Sequence, residues 1–205
     1  MKTRTYELKR RAEQQNETRQ RIVAAVAALH REVGPARTTI AAIAERAGVE
    51  RLTVYRHFAD ESELFTACSA HFRAELPPPA GDEWASVVDP AERLRAAVLA
   101  FYAYYRAGEP MIANVRRDAP QLPALAAVLA PAATRLRATV DELATRWRRR
   151  GARHKQLVAV IAHALRFETW QSLVRGEGLS DREAADLMVD LAKAAATERP
   201  PAKRR

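Results

Sequence analysis

The stretch from Thr38 to Leu64 restricts the chain's possible folds more than any other. It reads Thr-Thr-Ile-Ala-Ala-Ile-Ala-Glu-Arg-Ala-Gly-Val-Glu-Arg-Leu-Thr-Val-Tyr-Arg-His-Phe-Ala-Asp-Glu-Ser-Glu-Leu, and its spacing predicts two short helices joined by a tight turn. The hydroxyl of Thr38 or Thr39 can satisfy an orphan amide at the first helix start. Ile40, Ile43, Ala44 and Ala47 then recur at helical spacing and are expected to face inward. Gly48 stands where a chain leaving a helix commonly needs a positive φ. Val49 fills the corner, and the second helix turns Val54 and Phe58 inward. Ala44 is small where that helix must cross closely. Alanine, glycine four residues on and an aliphatic residue six further form the helix-turn-helix pattern. The outward face of the second helix holds the donors Arg51, Thr53, Tyr55, Arg56 and His57. Such a helix fits a major groove, its start near base edges and its flanks on phosphates. An ordinary helical hairpin shares the apolar spacing but leaves the donor-rich face unexplained.

Charge points the same way. The 205-residue chain carries a net +9, and residues 1–58 alone hold 12 Lys/Arg against 6 Asp/Glu. The excess therefore concentrates on the segment suited to nucleic acid. A membrane-surface protein would instead need a basic amphipathic helix with exposed apolar anchors, which no segment offers. No apolar run approaches the length needed to span a bilayer, and the polar first twenty residues do not read as a signal peptide. Cys68 is the single cysteine, so no internal disulfide forms, and it reads as a packing residue in a cytoplasmic protein.

The run Ala-Gly-Val, then Thr-Val-Tyr-Arg-His-Phe and Glu-Leu-Phe, resembles the DNA-binding domain of TetR-family transcriptional regulators over roughly Thr18 to His71. The resemblance implies an all-α chain, with an N-terminal three-helix DNA-binding domain containing the helix-turn-helix and a larger helical ligand-binding and dimerisation domain. It also implies that Thr39, Thr53, Tyr55 and His57 touch phosphates or bases. Glu50 and Leu52 depart from the serine and glycine more usual there, so base preference does not carry over. Glu61 stands where a lysine usually grips phosphate; it suits a helix start but would repel the backbone. The expected DNA-facing set is Thr38, Thr39, Glu50, Arg51, Leu52, Thr53, Tyr55, Arg56 and His57.

Along the chain, residues 1–17 read as a basic, flexible N-terminal segment, with Lys2, Arg4, Lys9, Arg10 and Arg11 available as an arm toward DNA. Ile22, Val23, Val26, Leu29 and Val33 trace a supporting helix ending at Gly34-Pro35, on which His30 reads as a surface residue. The DNA-binding domain is expected over 18–59. A connecting helix follows over 60–76, capped by Asp60, with Leu64, Phe65, Cys68 and Phe72 inward. Residues 77–197 form the expected ligand-binding and dimerisation domain, and 198–205 a disordered tail. Within it, Leu76–Val88 reads as a proline-rich loop. Asp89-Pro90-Ala91-Glu92 is a strong helix start, and Leu94, Val98, Phe101 and Tyr105 follow on one face. A separate short helix, Met111–Arg116, is expected after Pro110. A long helix kinked at Pro131 places Leu125, Val128, Leu129, Leu136, Val140, Leu143 and Trp147 inward and ends at Arg148-Arg149-Arg150-Gly151. His154 to Arg175 reads as one helix with two apolar faces. Ser180-Asp181-Arg182-Glu183 is a capping box before the stripe Leu187, Met188, Leu191 and Ala195.

Two such helices, near 154–175 and 181–197, carry more apolar surface than one small domain hides. Pairing with a second copy in a four-helix bundle would bury it. Phe167-Glu168-Thr169-Trp170 with Gly178-Leu179-Ser180 also resembles the C-terminal domain of many TetR-family members. The expected partners are double-stranded DNA, a second copy and a small-molecule effector, with no membrane. Phe101, Tyr104, Tyr105, Met111, Trp147, His163, Phe167 and Trp170 are the candidate pocket for a mostly apolar ligand. His163 is the sharpest of these, since a histidine on an apolar face needs a partner. Aromatic stripes at this spacing are also what plain core looks like.

The reading as a ligand-relieved repressor of a palindromic operator has two rivals. One is a ligand-independent architectural DNA binder. The other is an all-helical enzyme, for which the sequence offers no glycine-rich phosphate loop, nucleophile elbow or His-Glu-x-x-His helix. His71, His154 and His163 lack second ligands at metal spacing, so neither cofactor nor metal is expected.

Overall fold

The computed structural model describes residues 2–197; the expected tail 198–205 lies outside them. It is all-α, with ten α-helices and no strand among the described residues: α1 Lys2–Glu32, α2 Ile40–Ala47, α3 Arg51–His57, α4 Glu61–Glu75, α5 Asp82–Ala85, α6 Pro90–Asp118, α7 Pro123–Thr145, α8 Gly151–Ala164, α9 Phe167–Trp170 and α10 Asp181–Ala196. Among the described residues no helix is long and apolar enough to cross a membrane.

The chain forms two compact units, residues 1–77 with 108–130 and residues 78–107 with 131–205. This division differs from the expected domains, because residues 108–130 join the first unit instead of lying wholly within a domain over 77–197. The parting falls inside α6 and α7, and neither helix breaks at its proline. The separate helix expected over Met111–Arg116 is the last part of α6. Proline removes one hydrogen bond of the ladder, and the side chains on either side of Pro110 are packed well enough to keep the helix going. Met111 is buried, for example, in the core of the first unit.

That first unit is built on α1. Its helix runs back to Lys2, where a frayed segment over 1–17 was expected. Ile22, Val26 and Ala27 of α1 are fully buried against Ile43 and Ala44 of α2, Val54 of α3 and Leu64 and Cys68 of α4. His30, expected on the surface, is only 2% exposed. Its Nδ1 lies 3.5 Å from Cys68 Sγ, and its ring packs 5.8 Å from that of Phe65. Burial pushes the imidazole down to about 4, opposed by the Asp118 carboxylate, and pushes the Cys68 thiol up to about 12. Both are neutral near pH 7, so the pair packs without a charge.

The C-terminal end of α1 is closed by side chains from α6. Asn114 Nδ2 donates to the carbonyls of His30 and Arg31 at 3.0 and 2.9 Å, and Arg117 Nη2 donates to that of Val33 at 3.1 Å. The Ala36 amide donates to Asp118 Oδ2 at 3.0 Å, and Arg117 holds the Asp118 carboxyl below the usual carboxylate range. Gly34, with φ 91°, sits beneath this cluster, and a Cβ there would run into the Arg117 guanidinium and the Asp118 carboxylate. A helix end that would leave orphan carbonyls is thus satisfied from a distant segment.

The buried histidine has a measurable consequence. Its native value lies below its unfolded value of 6.5, so on acidification the unfolded chain takes up a proton that the native chain refuses. Stability contributed by His30 is therefore complete above about pH 6.5, falls as pH drops towards about 4, and is flat below. Urea unfolding should register a loss of roughly 2 kcal/mol between about pH 7 and about pH 5, absent in His30→Phe. An equal loss in the variant would assign the pH dependence to other groups.

In the second unit, Asp89 Oδ1 accepts from the amides of Ala91 and Glu92, both at 2.9 Å, and starts α6 as expected. The proline-rich segment before it is more than a loop: α5 buries Trp84, 6.1 Å from the Phe101 ring. Arg93 ties that segment down, donating to the carbonyls of Ala85 and Val87 and to Glu142. The long helix ends at Thr145, short of the arginine run. Arg148 adopts a left-handed φ of 52°, and Gly151 opens α8 instead of closing α7.

The expected continuous helix from His154 to Arg175 is broken. α8 stops at Ala164, Arg166 is extended, and α9 is followed by a π-helical segment, Gln171–Gly176. Side chains take up the carbonyls that the break frees. Tyr105 donates to that of Leu165 at 2.6 Å and Thr169 to that of His163, also at 2.6 Å. α10 begins with the capping box of Ser180 and Glu183 and packs on α8. It buries Ala185, Met188, Val189 and Ala192 and leaves Leu187 and Leu191 exposed, so the stripe predicted through both leucines is not the buried one.

Candidate nucleic-acid interface

α2, the turn and α3 form the helix-turn-helix from local chemistry. Thr39 Oγ1 accepts from the Ala42 amide at 3.1 Å and caps α2. Gly48 takes φ 64°, ψ 43°, the left-handed conformation that ends it, and the Val49 amide donates to the Ala44 carbonyl at 2.9 Å. Ala44 and Val54 are 3% and 1% exposed, so the two helices cross on a small residue as the spacing requires.

Burial of Val54 and Phe58 turns the opposite face of α3 to solvent. Arg51, Leu52, Tyr55 and Arg56 are exposed, and Thr53 and His57 are half-buried at its edge. Arg56 Nη2 donates to Thr53 Oγ1 at 2.8 Å, which orients the guanidinium and leaves the Thr53 hydroxyl hydrogen free to donate. His57 is pushed below its ordinary value by burial, then by Arg19 and Arg56, so near pH 7 it offers one neutral donor and one acceptor. Glu50 precedes the helix with no side-chain capping bond. The two threonines before α2 differ. Thr39 keeps a free hydroxyl hydrogen, whereas Thr38 is half-buried and spends its own on the Gly34 carbonyl at 2.9 Å. Glu61 is exposed in the first turn of α4, whose cap is Asp60 Oδ1, 2.8 Å from the Glu63 amide. Sequence reasoning passed over Arg19, whose guanidinium lies 4.4 Å from the Phe58 ring centre beside this face.

A sequence model described as bacterial regulatory proteins, tetR family, matches residues 22–68, the segment that carries this geometry. Over that segment the chain is similar to the TetR family. The fold of this chain recurs in solved structures across nearly its full length. One is a TetR-like transcriptional regulator from Rhodococcus sp. RHA1, 22% identical over 86% of this chain and 93% of that one, with TM-score 0.61. A tetR-family transcriptional regulator from Streptomyces coelicolor is 19% identical over 88% and 79%, with TM-score 0.58. A ketosteroid transcriptional regulator of Mycobacterium tuberculosis is 21% identical over 88% and 95%, with TM-score 0.57. No curated protein matches in sequence.

The second unit gathers part of the expected pocket set. Phe101, Tyr105, Phe167 and Trp170 are buried in a connected ring cluster, with Tyr105 6.0 Å from Phe101, 5.5 Å from Phe167 and 6.2 Å from Trp170. Tyr104 joins it half-buried, 5.8 Å from Tyr105. Three expected members lie elsewhere or differ. Met111 packs in the first unit. His163 is exposed, because the break after Ala164 turns Phe167 and Trp170 inward instead of prolonging its face. Trp147 follows the end of α7 and is half-buried, with its Nε1 buried and unpartnered. Tyr102, not singled out by its spacing, is fully buried with an unpartnered hydroxyl. Among the described residues no group of three or more His, Cys, Asp and Glu could hold a metal ion.

Proposed function

We propose that this chain is a cytoplasmic TetR-family repressor that binds a palindromic operator as a dimer and is released by a small, mostly apolar ligand. The observation that carries the reading is the two-sidedness of α3: Val54 is buried, while Arg51, Leu52, Tyr55 and Arg56 face outward on a seven-residue helix. Two such helices in a twofold dimer would meet half-sites about one helical turn apart. The exposed Leu187 and Leu191, four residues apart on α10, support the dimer. The buried ring cluster supports an apolar effector, which would exchange ring–ring contacts for its own. A ligand releases DNA only by binding the released state better, and DNA must weaken ligand binding by the same factor.

Mobility shift against the chain's own upstream DNA, with and without a library of apolar compounds, tests the reading. Tyr55→Ala removes an exposed side chain and should weaken binding about tenfold per subunit, the worth of one hydrogen bond to a charged group. Its melting temperature and dimer mass should match the wild type. Loss of fold together with binding would place Tyr55 in the core and sink the face assignment.

A further inference from the structure

We propose that Leu52 is a specificity residue that reads the 5-methyl group of a thymine in each half-site. This rests on the reading of α3 as the helix inserted into duplex DNA. Six large hydrophobic side chains are exposed among the described residues, and two of them, Leu52 at 65% and Tyr55 at 58%, fall on the seven residues of α3. Leu52, Tyr55 and Arg56 stand at i, i+3 and i+4, so they share one outward stripe. Leu52 sits in the first turn, the part of such a helix that approaches base edges, with the tyrosine and arginine one turn behind it.

Leucine neither donates nor accepts a hydrogen bond. Its only complementary group on a base edge is therefore apolar, and among the unmodified bases the major groove offers just one, the C5 methyl of thymine. The neighbour on the N-terminal side supports this register. Glu50 is exposed and its carboxylate makes no capping bond, so a negative charge flanks Leu52 and disfavours a phosphate as the surface that meets this turn. Arg51 and Arg56 supply positive charge on either side of the leucine along the helix. The apolar tip is thus bracketed by groups that hold duplex DNA without competing for the methyl.

The test uses the full chain. Duplexes are selected from a random library, each thymine of the selected site is replaced singly by deoxyuridine, and affinity is measured by fluorescence anisotropy. One replacement per half-site should weaken wild-type binding about threefold to fivefold, the worth of one buried methyl group. Leu52→Ala should bind both duplexes equally, and selection with that variant should lose the preference for thymine at the position. Because Leu52 is exposed, the variant should melt with the wild type. Selective binding in which no uridine matters, or in which Leu52→Ala suffers the same loss, would overturn the role of Leu52 and leave DNA reading standing. A chain that selects no sequence at all would overturn both.

Discussion

Trp170→Ala should lower the stability of the second unit by about 3–5 kcal/mol, the range for removing a fully buried large aromatic. Trp170 has no exposed surface, and its ring stands 5.5 Å from that of Phe167 and 6.2 Å from that of Tyr105. Its Nε1 donates to Asp181 Oδ1 at 3.0 Å, and the same carboxylate receives Arg106 at 2.8 and 2.7 Å. Arg106, followed by Trp170, holds Asp181 below the usual carboxylate range, so the cluster binds a charged acid at the start of α10. The Arg175 guanidinium lies 5.2 Å from the Trp170 ring centre. Alanine would remove the ring from its neighbours and one donor from Asp181 in a single step. Trp170→Phe separates the two effects. It keeps most of the apolar volume and loses the hydrogen bond and part of the ring, so it should cost about 1–2 kcal/mol. Urea unfolding of both variants checks this. A cost for alanine no greater than that for phenylalanine would show that the ring contacts contribute little.

The second large effect concerns assembly. Leu187 and Leu191 are 43% and 46% exposed on α10, one turn apart, while the opposite face of the helix is closed against α8. A self-complementary interface would bury four such side chains, two from each copy, and gain about 1 kcal/mol from the remaining half of each. That totals about 4 kcal/mol, or roughly a thousandfold in dimer dissociation. Leu187→Glu with Leu191→Glu should therefore halve the mass measured by light scattering at micromolar protein and reduce affinity for a palindromic duplex by at least about a hundredfold. The subunit itself should keep its helix content, because neither leucine contributes to its core. An unchanged mass would exclude this face of α10 from the dimer.

These cases differ in how much of them the sequence carried. The helix-turn-helix was legible because every group that makes it lies within a few residues of its partner. Thr39 caps α2, Gly48 supplies a left-handed turn, and Asp60, Asp89 and Ser180 each accept from an amide two or three residues ahead. The outward set on α3 followed from helical period alone once Val54 faced inward.

What spacing could not convey was the outcome of contacts between distant segments. His30 had the pattern of a surface residue, and its burial depends on Cys68, 38 positions away. The break after Ala164 depends on Tyr105, whose hydroxyl, 60 positions from Leu165, takes the carbonyl that a continuing helix would have bonded. His163, just before that break, is exposed, and the expected pocket loses its only histidine. Proline at 110 carries a local penalty that the packing of α6 overrides, and Met111 goes with the first unit as a result.

The amino-acid sequence by itself determined the helical class, the caps at Asp60, Asp89 and Ser180, the turn at Gly48 and the residues that α3 turns to solvent, because these follow from covalent geometry and bonds that close within one or two turns. The tertiary structure alone decided which apolar stripe of α10 is buried, where the helix after Gly151 ends and which aromatics meet. Those outcomes are set by competition among long-range contacts of similar energy, and a single hydrogen bond or buried ring is enough to tip them.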